Sequence, residues 1–172
     1  MRNFKGLRRF KWRTSAPWLL GIGWLLGIVL GGLSAAQAED VLVPLIRDGA
    51  GRYASVVGLL ATTLLPFLLS AFAVSLSEPW LLLIISTCKA FSFAFCAFGV
   101  SLAFGPSGWL VRFLFLFSDL CLIPLLYLYW LRHIRGECRH IPWELPLCLS
   151  AALAVGMVDY WFISPFLVSI MN

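Results

Sequence analysis

Charged residues are scarce in this sequence. Aspartate, glutamate, lysine and arginine make up 12% of the 172 residues, whereas the hydrophobic residue types make up 61%. A typical soluble domain carries about twice that share of charge, and a domain of this size has too little interior to bury so much apolar surface. The composition therefore excludes a disordered chain, a soluble enzyme and a nucleic-acid-binding module. It indicates a protein with several membrane-spanning segments.

Motifs for enzymatic chemistry and for metal binding are also absent. The sequence has no HExxH pair, no Walker phosphate-binding motif, no GxSxG nucleophile and no carboxylate pair suited to hydrolysis. The five cysteines include no CxxC pair, and His133, Cys138 and His140 do not follow a standard zinc spacing. We therefore expect no enzymatic activity, no metal and no cofactor.

Apolar runs divide the chain into five predicted transmembrane helices. Each run has about 20 residues or more, which is the length that crosses a bilayer as a helix. The predicted spans cover residues 18–36, 54–76, 80–104, 109–131 and 143–170. The predicted fold is thus all-α, with a single transmembrane domain over residues 1–172.

The distribution of basic residues predicts the orientation. Six of the 13 basic residues lie in the arm 1–16, and Arg132, Arg135 and Arg139 lie in the loop after the fourth span. Basic residues beside short loops favour the cytoplasm, so we expect a cytoplasmic N-terminus and an outer loop at 37–53. The basic arm can also attract anionic lipid headgroups. Because topology accounts for the charge, we expect no nucleic-acid partner.

Small residues recur every four positions in the first span. Gly23, Gly27, Gly31 and Ala35 therefore lie along one helix face, where small side chains let another helix approach closely. We interpret this row as a packing face for a partner helix. The same segment also has the layout of a secretory signal with an A-x-A cleavage pattern at 36–38. The apolar core is long for a signal, so a retained helix is the favoured interpretation and cleavage stays open.

Apart from Glu144 at the very start of the last span, four charged residues fall inside the predicted spans. Lys89 and Asp119 lie about 14 and 15 Å along their helices, near the middle of the bilayer, and we expect them to form an ion pair. Arg112 and Asp159 both fall in the outer half and form a second candidate pair, unless Arg112 extends to the headgroups. Such charges either hold helices together or form a relay or a polar substrate site. We favour the first of these interpretations.

The order of the spans and their motifs is similar to that of a known family. The similarity rests on three segments: the glycine-rich stretch 21–27, the run 98–105, and Pro124 near the inner end of the fourth span. Together they resemble the stage II sporulation protein M family of bacterial membrane proteins. The third span of that family often opens with an Arg-Gly pair, and Lys89-Ala90 stands at the comparable place here. The resemblance implies about five spans, a bacterial plasma membrane and a scaffold that anchors peptidoglycan-degrading partners during sporulation.

These observations predict a non-enzymatic membrane scaffold. The expected partners are the lipid bilayer and membrane or cell-wall-associated proteins, with the glycine row and the outer loop as contact surfaces, and a homo-oligomer is compatible with this. The alternative is a small transporter or channel subunit that uses Lys89, Asp119 and Asp159 along a polar path.

Overall fold

The computed structural model describes residues 2–47, 56–76, 79–105, 108–135 and 143–171. Almost all of these residues are helical. The helices are α1 (Arg2–Gln37), α2 (Glu39–Arg47), α3 (Val56–Leu76), α4 (Pro79–Phe104), α5 (Trp109–Arg135), α6 (Glu144–Val158) and α7 (Ser164–Met171), with a π-helical turn (Asp159–Ile163) between the last two. The described ranges contain no strand, so the all-α prediction is confirmed.

Four helical segments are long and apolar enough to cross a membrane. They are Ser15–Gln37, Trp80–Phe104, Trp109–His133 and Glu144–Leu167. Their length and composition identify the chain as a membrane protein. The apolar part of α3 is shorter and covers Ala61–Leu76.

The closest helix pair in the described structure is formed by α1 and α4. A Cβ atom added to Gly27 would lie 2.6 Å from the Cβ of Ala90, and one added to Gly31 would lie 3.0 Å from the Cβ of Ala94. Successive glycines thus meet residues at the same interval along α4, so the two helices run parallel.

The facing surface of α4 is also made of small residues. Ser86, Ala90 and Ala94 recur every four positions, and all three are buried. Small residues on both helices let the two backbones come together, and dispersion contacts then stabilise the pair. We call this contact the α1–α4 seam.

The short helix α2 packs against the last turns of α4. Leu42 and Ile46 are buried, and their side chains occupy the space that a side chain at Gly99 would need. Part of the predicted outer loop 37–53 is therefore a helix that adheres to the bundle. Residues 48–53 lie outside the described residues.

The fold has an apolar cluster towards each end. One cluster includes Leu20, Phe67 and Trp130, and the other includes Leu42 and Val100. Along α4, Lys89 and Ser92 lie between Leu82 of the first cluster and Val100 of the second, and the Asp119 carboxylate contacts Lys89 at this level. This arrangement places a polar layer near the middle of the bundle.

The π-helical turn lies directly before Pro165. Proline has no amide hydrogen, and its ring clashes with the carbonyl four residues earlier. The helix widens at this point, and the Ser164 amide donates to the carbonyl oxygen of Asp159, five residues back. Widened turns of this kind often mark functional sites in helices.

Candidate functional site: a polar layer around an ion pair

Lys89 and Asp119 are brought together by the structure. The Lys89 Nζ contacts the Asp119 Oδ1, and the two side chains are 11% and 21% exposed. The hairpin between α4 and α5 sets this register. It turns at Gly105, whose φ of 61° lies in the left-handed region that glycine adopts without a steric penalty.

A cavity of about 300 Å³ borders the ion pair. It lies between α3, α4 and α5. Its polar lining comes from Thr62 and Thr63 on α3, Lys89, Ser92 and Cys96 on α4, and Ser118 and Asp119 on α5. The volume lies at the lower end of the range for small-molecule sites. It equals the volume of about ten water molecules at about 30 Å³ each.

A second cavity of about 340 Å³ adjoins the first on the α3 and α4 side. Thr62, Lys89 and Ser92 line both cavities, whereas the rest of the second lining is mainly apolar, as at Leu69 and Ile84. Lys89 therefore stands at the boundary between a polar space and an apolar one.

Hydroxyl groups around α4 differ in how their hydrogen bonds are satisfied. Ser86 and Thr87, on the seam side, both donate to the carbonyl oxygen of Leu83 in their own helix, at 3.0 and 2.7 Å. Ser118, on the cavity side, has a buried Oγ with no hydrogen-bond partner among the described residues. A buried polar atom without a partner is costly, so the cavity side has spare capacity for a polar guest.

Asp159, at the start of the π-helical turn, is completely buried. The ion pair between Arg132 and Glu144, with Nη1 and Oε1 3.2 Å apart, aligns α5 with α6. Asp159 lies about 22 Å along the helix from Glu144, and the same rise along α5 from Arg132 reaches the turn containing Ser118.

The predicted pairing of Arg112 with Asp159 is not what the structure shows. The Arg112 Nη2 donates to the carbonyl oxygen of Gly105, at the hairpin turn. Depth counted from the ends of the predicted spans places Arg112 and Asp159 in the same half of the bilayer. Counted along both helices from the Arg132–Glu144 contact, the helical rise puts Asp159 one to two turns deeper than Arg112.

The predicted partner surface on the first span is also corrected. Gly23, Gly27 and Gly31 face α4 of the same chain, and Ala35 is fully buried. This face is therefore not free to receive a helix from another protein. The row is a helix-packing face, as expected, but its partner is intramolecular.

Sequence reasoning missed the α3 contribution and half of the seam. Thr62 and Thr63 lie in the apolar run 54–76, whose pattern predicts a span and no site. Ser86, Ala90 and Ala94 repeat the four-residue spacing of the glycine row. That shared spacing is the signal that would have paired the two helices.

The basic loop after the fourth span gives no metal site in the described part of the chain. No group of three or more histidine, cysteine, aspartate and glutamate residues is close enough to hold a metal ion there. His133 Nδ1 lies 2.9 Å from the carbonyl oxygen of Tyr129 in its own helix. Cys138 and His140 lie outside the described residues.

Comparisons with known proteins assign no relative to this arrangement. The chain matches no protein-family model, no curated protein and no solved structure. The resemblance to stage II sporulation protein M therefore stays a prediction.

Proposed function

We propose that this chain is a small transporter or channel subunit whose polar layer binds a small polar or charged solute. The observation that carries the proposal is the cavity of about 300 Å³ beside Lys89 and Asp119. An ammonium group and a carboxylate in one cavity offer a donor set and an acceptor set to a passing solute. Charged residues inside membrane spans commonly mark such pathways.

The packing of α4 argues against a purely structural ion pair. A pair that only joins helices gains most when the surrounding side chains close over it, because a dry setting strengthens the attraction. Here the side chains of Lys89 and Asp119 retain some exposure, and hydroxyl-bearing residues line the space beside them. This favours a site that admits water or solute.

The proposal includes five spans, with α3 as the additional one. Because α1 and α4 run parallel, the end of α1 and the start of α4 lie at opposite faces of the bundle. The chain between them must return across the membrane. At 21 residues, α3 is about 31 Å long, which matches a hydrocarbon core of about 30 Å. The positive-inside rule then supports a cytoplasmic start of α1.

The topology also supports α1 as a retained helix. Its glycine row complements the small residues of α4 over three successive turns. Removal of residues 1–38 would leave Ser86, Ala90 and Ala94 without the helix that buries them. A signal peptide that is removed would not need a surface that complements the small residues of α4.

A scaffold is the second candidate, and the length of α1 favours it. With 36 residues, α1 is about 54 Å long, so it exceeds the hydrocarbon core by more than 20 Å. The excess corresponds to the basic arm 1–16, which can meet anionic lipids or a partner protein. A scaffold would then use this arm and the α2 side, rather than the glycine row.

Ion flux into vesicles tests the proposed function. The full chain is reconstituted into phosphatidylcholine vesicles, and H⁺, Na⁺, K⁺ and Cl⁻ fluxes are followed with entrapped indicators. We expect flux of at least one of these ions, and we expect the Lys89→Met, Asp119→Leu double variant to lose it. Arg132→Met with Glu144→Leu is the matched control, because it removes an ion pair at the end of the bundle and should conduct like the wild type.

Two outcomes would contradict the transport proposal. One is flux in the Lys89→Met, Asp119→Leu variant equal to that of the wild type. The other is a folded wild-type protein that passes none of the four ions but copurifies from native membranes with a stoichiometric partner. Retention of that partner by the double variant would favour the scaffold.

A further inference from the structure

Two arginines from different helices converge on the end of α4. The Arg47 Nε and Nη2 atoms lie 3.3 and 3.0 Å from the carbonyl oxygen of Ala103. The Arg112 Nη2 donates to the carbonyl oxygen of Gly105. These carbonyl groups are two residues apart at one helix end, so both guanidinium groups lie in the same small region.

The positive charge of this pair is not balanced by the described residues. Neither Arg47 nor Arg112 has a carboxylate within ion-pair distance in the described part of the chain. Glu39 and Asp40 lie in the first turn of α2, about 11 Å along the helix from Arg47. The C-terminal end of α4 supplies only about half a negative charge through its dipole. Among the described residues, a surplus of more than one positive charge therefore remains.

The two guanidinium groups also have hydrogen-bond donors to spare. Each carries five N–H donors in a planar fork, and the contacts to Ala103 and Gly105 use only part of them. The Arg112 Nε is buried and has no hydrogen-bond partner among the described residues. A planar fork with free donors is the geometry that binds phosphate in a bidentate way.

The location matches the level of lipid headgroups. Ala103 and Gly105 stand at the ends of the α4 and α5 spans, and Trp109, at the start of α5, is strongly exposed. Tryptophan is enriched at this boundary between hydrocarbon and water. A phosphate group at the membrane surface is therefore within reach of both arginines.

We propose that Arg47 and Arg112 form a binding site for a phosphate group at the membrane surface on the side of the α4–α5 turn. The group belongs either to a phospholipid headgroup or to a soluble phosphate-bearing molecule. This site is separate from the Lys89–Asp119 layer and does not depend on the transport proposal.

Thermal stabilisation of the delipidated full chain tests the site. Three probes are added in maltoside detergent: dioleoyl phosphatidic acid, dioleoylglycerol with the same acyl chains, and inorganic phosphate. We expect phosphatidic acid to raise the Tm of the wild type and dioleoylglycerol to leave it unchanged. Arg47→Gln and Arg112→Gln should each weaken the apparent affinity for phosphatidic acid roughly tenfold, which corresponds to about 1.4 kcal/mol.

Controls separate binding from general destabilisation. Each variant is compared with itself without ligand, so a lower starting Tm does not enter the result. Arg132→Gln, at the other end of the bundle, should keep the wild-type shift. Arg47→Lys and Arg112→Lys retain the charge but lose the fork, and they replace the glutamine variants if those fail to fold; we expect them to bind more weakly than the wild type.

The outcomes distinguish the two sources of phosphate and can overturn the site. Stabilisation by phosphatidic acid alone identifies a lipid headgroup, whereas stabilisation by inorganic phosphate identifies a soluble ligand. The proposal is overturned if neither probe stabilises the wild type. It is equally overturned if the Arg47 and Arg112 variants respond to both probes like the wild type.

Discussion

The two sides of α4 differ in packing and in polarity. On the seam side, Gly27 and Gly31 approach so closely that even a Cβ atom would meet Ala90 or Ala94 at 3.0 Å or less. On the other side, Lys89 and Ser92 border cavities of about 300 and 340 Å³. One helix thus carries a dry, close contact and an open, polar one.

This difference shows how a small bundle can hold a charge in the membrane. The close contacts with α1 fix the position of α4 without help from the cavity side. The cavity side is therefore free to remain loosely packed around Lys89 and Asp119. We therefore expect the seam to supply most of the stability, and the polar layer is the proposed transport site.

The largest expected effect comes from disrupting the seam at Gly27. A leucine there would overlap Ala90 and the α4 backbone, which cannot move aside as a flexible side chain can. We expect Gly27→Leu to lower the free energy of unfolding by about 3 kcal/mol or more, and Gly27→Ala by about 2 kcal/mol. SDS titration in mixed micelles measures both.

Gly21→Ala is the matched control for this prediction. Gly21 lies in the same helix, but no atom lies within 4 Å of an added Cβ. Alanine also favours helix more than glycine does, so this variant should be as stable as the wild type or slightly more stable. Equal stability of Gly27→Ala and Gly21→Ala would contradict the close packing of α1 against α4 at Gly27.

The next effect comes from removing one charge of the polar layer. Lys89→Met leaves Asp119 without its cation inside the membrane, and we expect a loss of about 3 kcal/mol in the free energy of unfolding. The double variant Lys89→Met, Asp119→Leu should recover most of this loss, because no lone charge remains. A double variant less stable than Lys89→Met would show that the two residues do not act as a pair.

Leucine substitutions on the two faces of α4 test whether the packing of these faces differs. Ser86→Leu places a large side chain against Gly23, and we expect it to cost about 2 kcal/mol by overpacking. Ser92→Leu points into the cavities, so it should change stability by less than about 1 kcal/mol while lowering ion flux. Equal losses of stability for the two variants would mean that α4 is packed alike on both faces.

The smallest effect is expected at the ion pair between Arg132 and Glu144, at one end of the bundle. The Arg132 side chain is 57% exposed in its ion pair with Glu144. Glu144 is only 11% exposed, but solvent around Arg132 screens the attraction and a glutamine can still donate a hydrogen bond to the carboxylate. We therefore expect Arg132→Gln to cost about 1 to 2 kcal/mol, less than Lys89→Met, and to leave flux unchanged. A larger loss than that of Lys89→Met would reverse the roles that we assign to the two ion pairs.

The sequence predicted those parts of the structure that depend on depth and spacing. Apolar length located four membrane-spanning helices, and equal depth on one hairpin predicted the contact between Lys89 and Asp119. Depth counted from the span ends did not predict the partner of Arg112, whose guanidinium donates to the carbonyl oxygen of Gly105. The register of α5 against α6 includes the Arg132–Glu144 contact, which span boundaries do not predict.

The choice of partners for each helix was harder to predict. A four-residue row of glycines indicates close packing but does not say whether the other helix belongs to the same chain. The α3 threonines could not be predicted as site residues, because a hydroxyl in an apolar run does not indicate a site until packing places a cavity beside it. Three-dimensional packing settles both points.

The most direct test compares water access on the two faces of α4. Cys96 lines the cavity, and Ala90 lies in the seam. One variant keeps Cys96 as its only cysteine, and another has a single cysteine introduced by Ala90→Cys. Our account predicts rapid reaction of Cys96 with a small, water-soluble methanethiosulfonate reagent in vesicles and little reaction at position 90. Reaction at Cys96 as slow as at position 90 would contradict the central claim of a water-accessible polar layer.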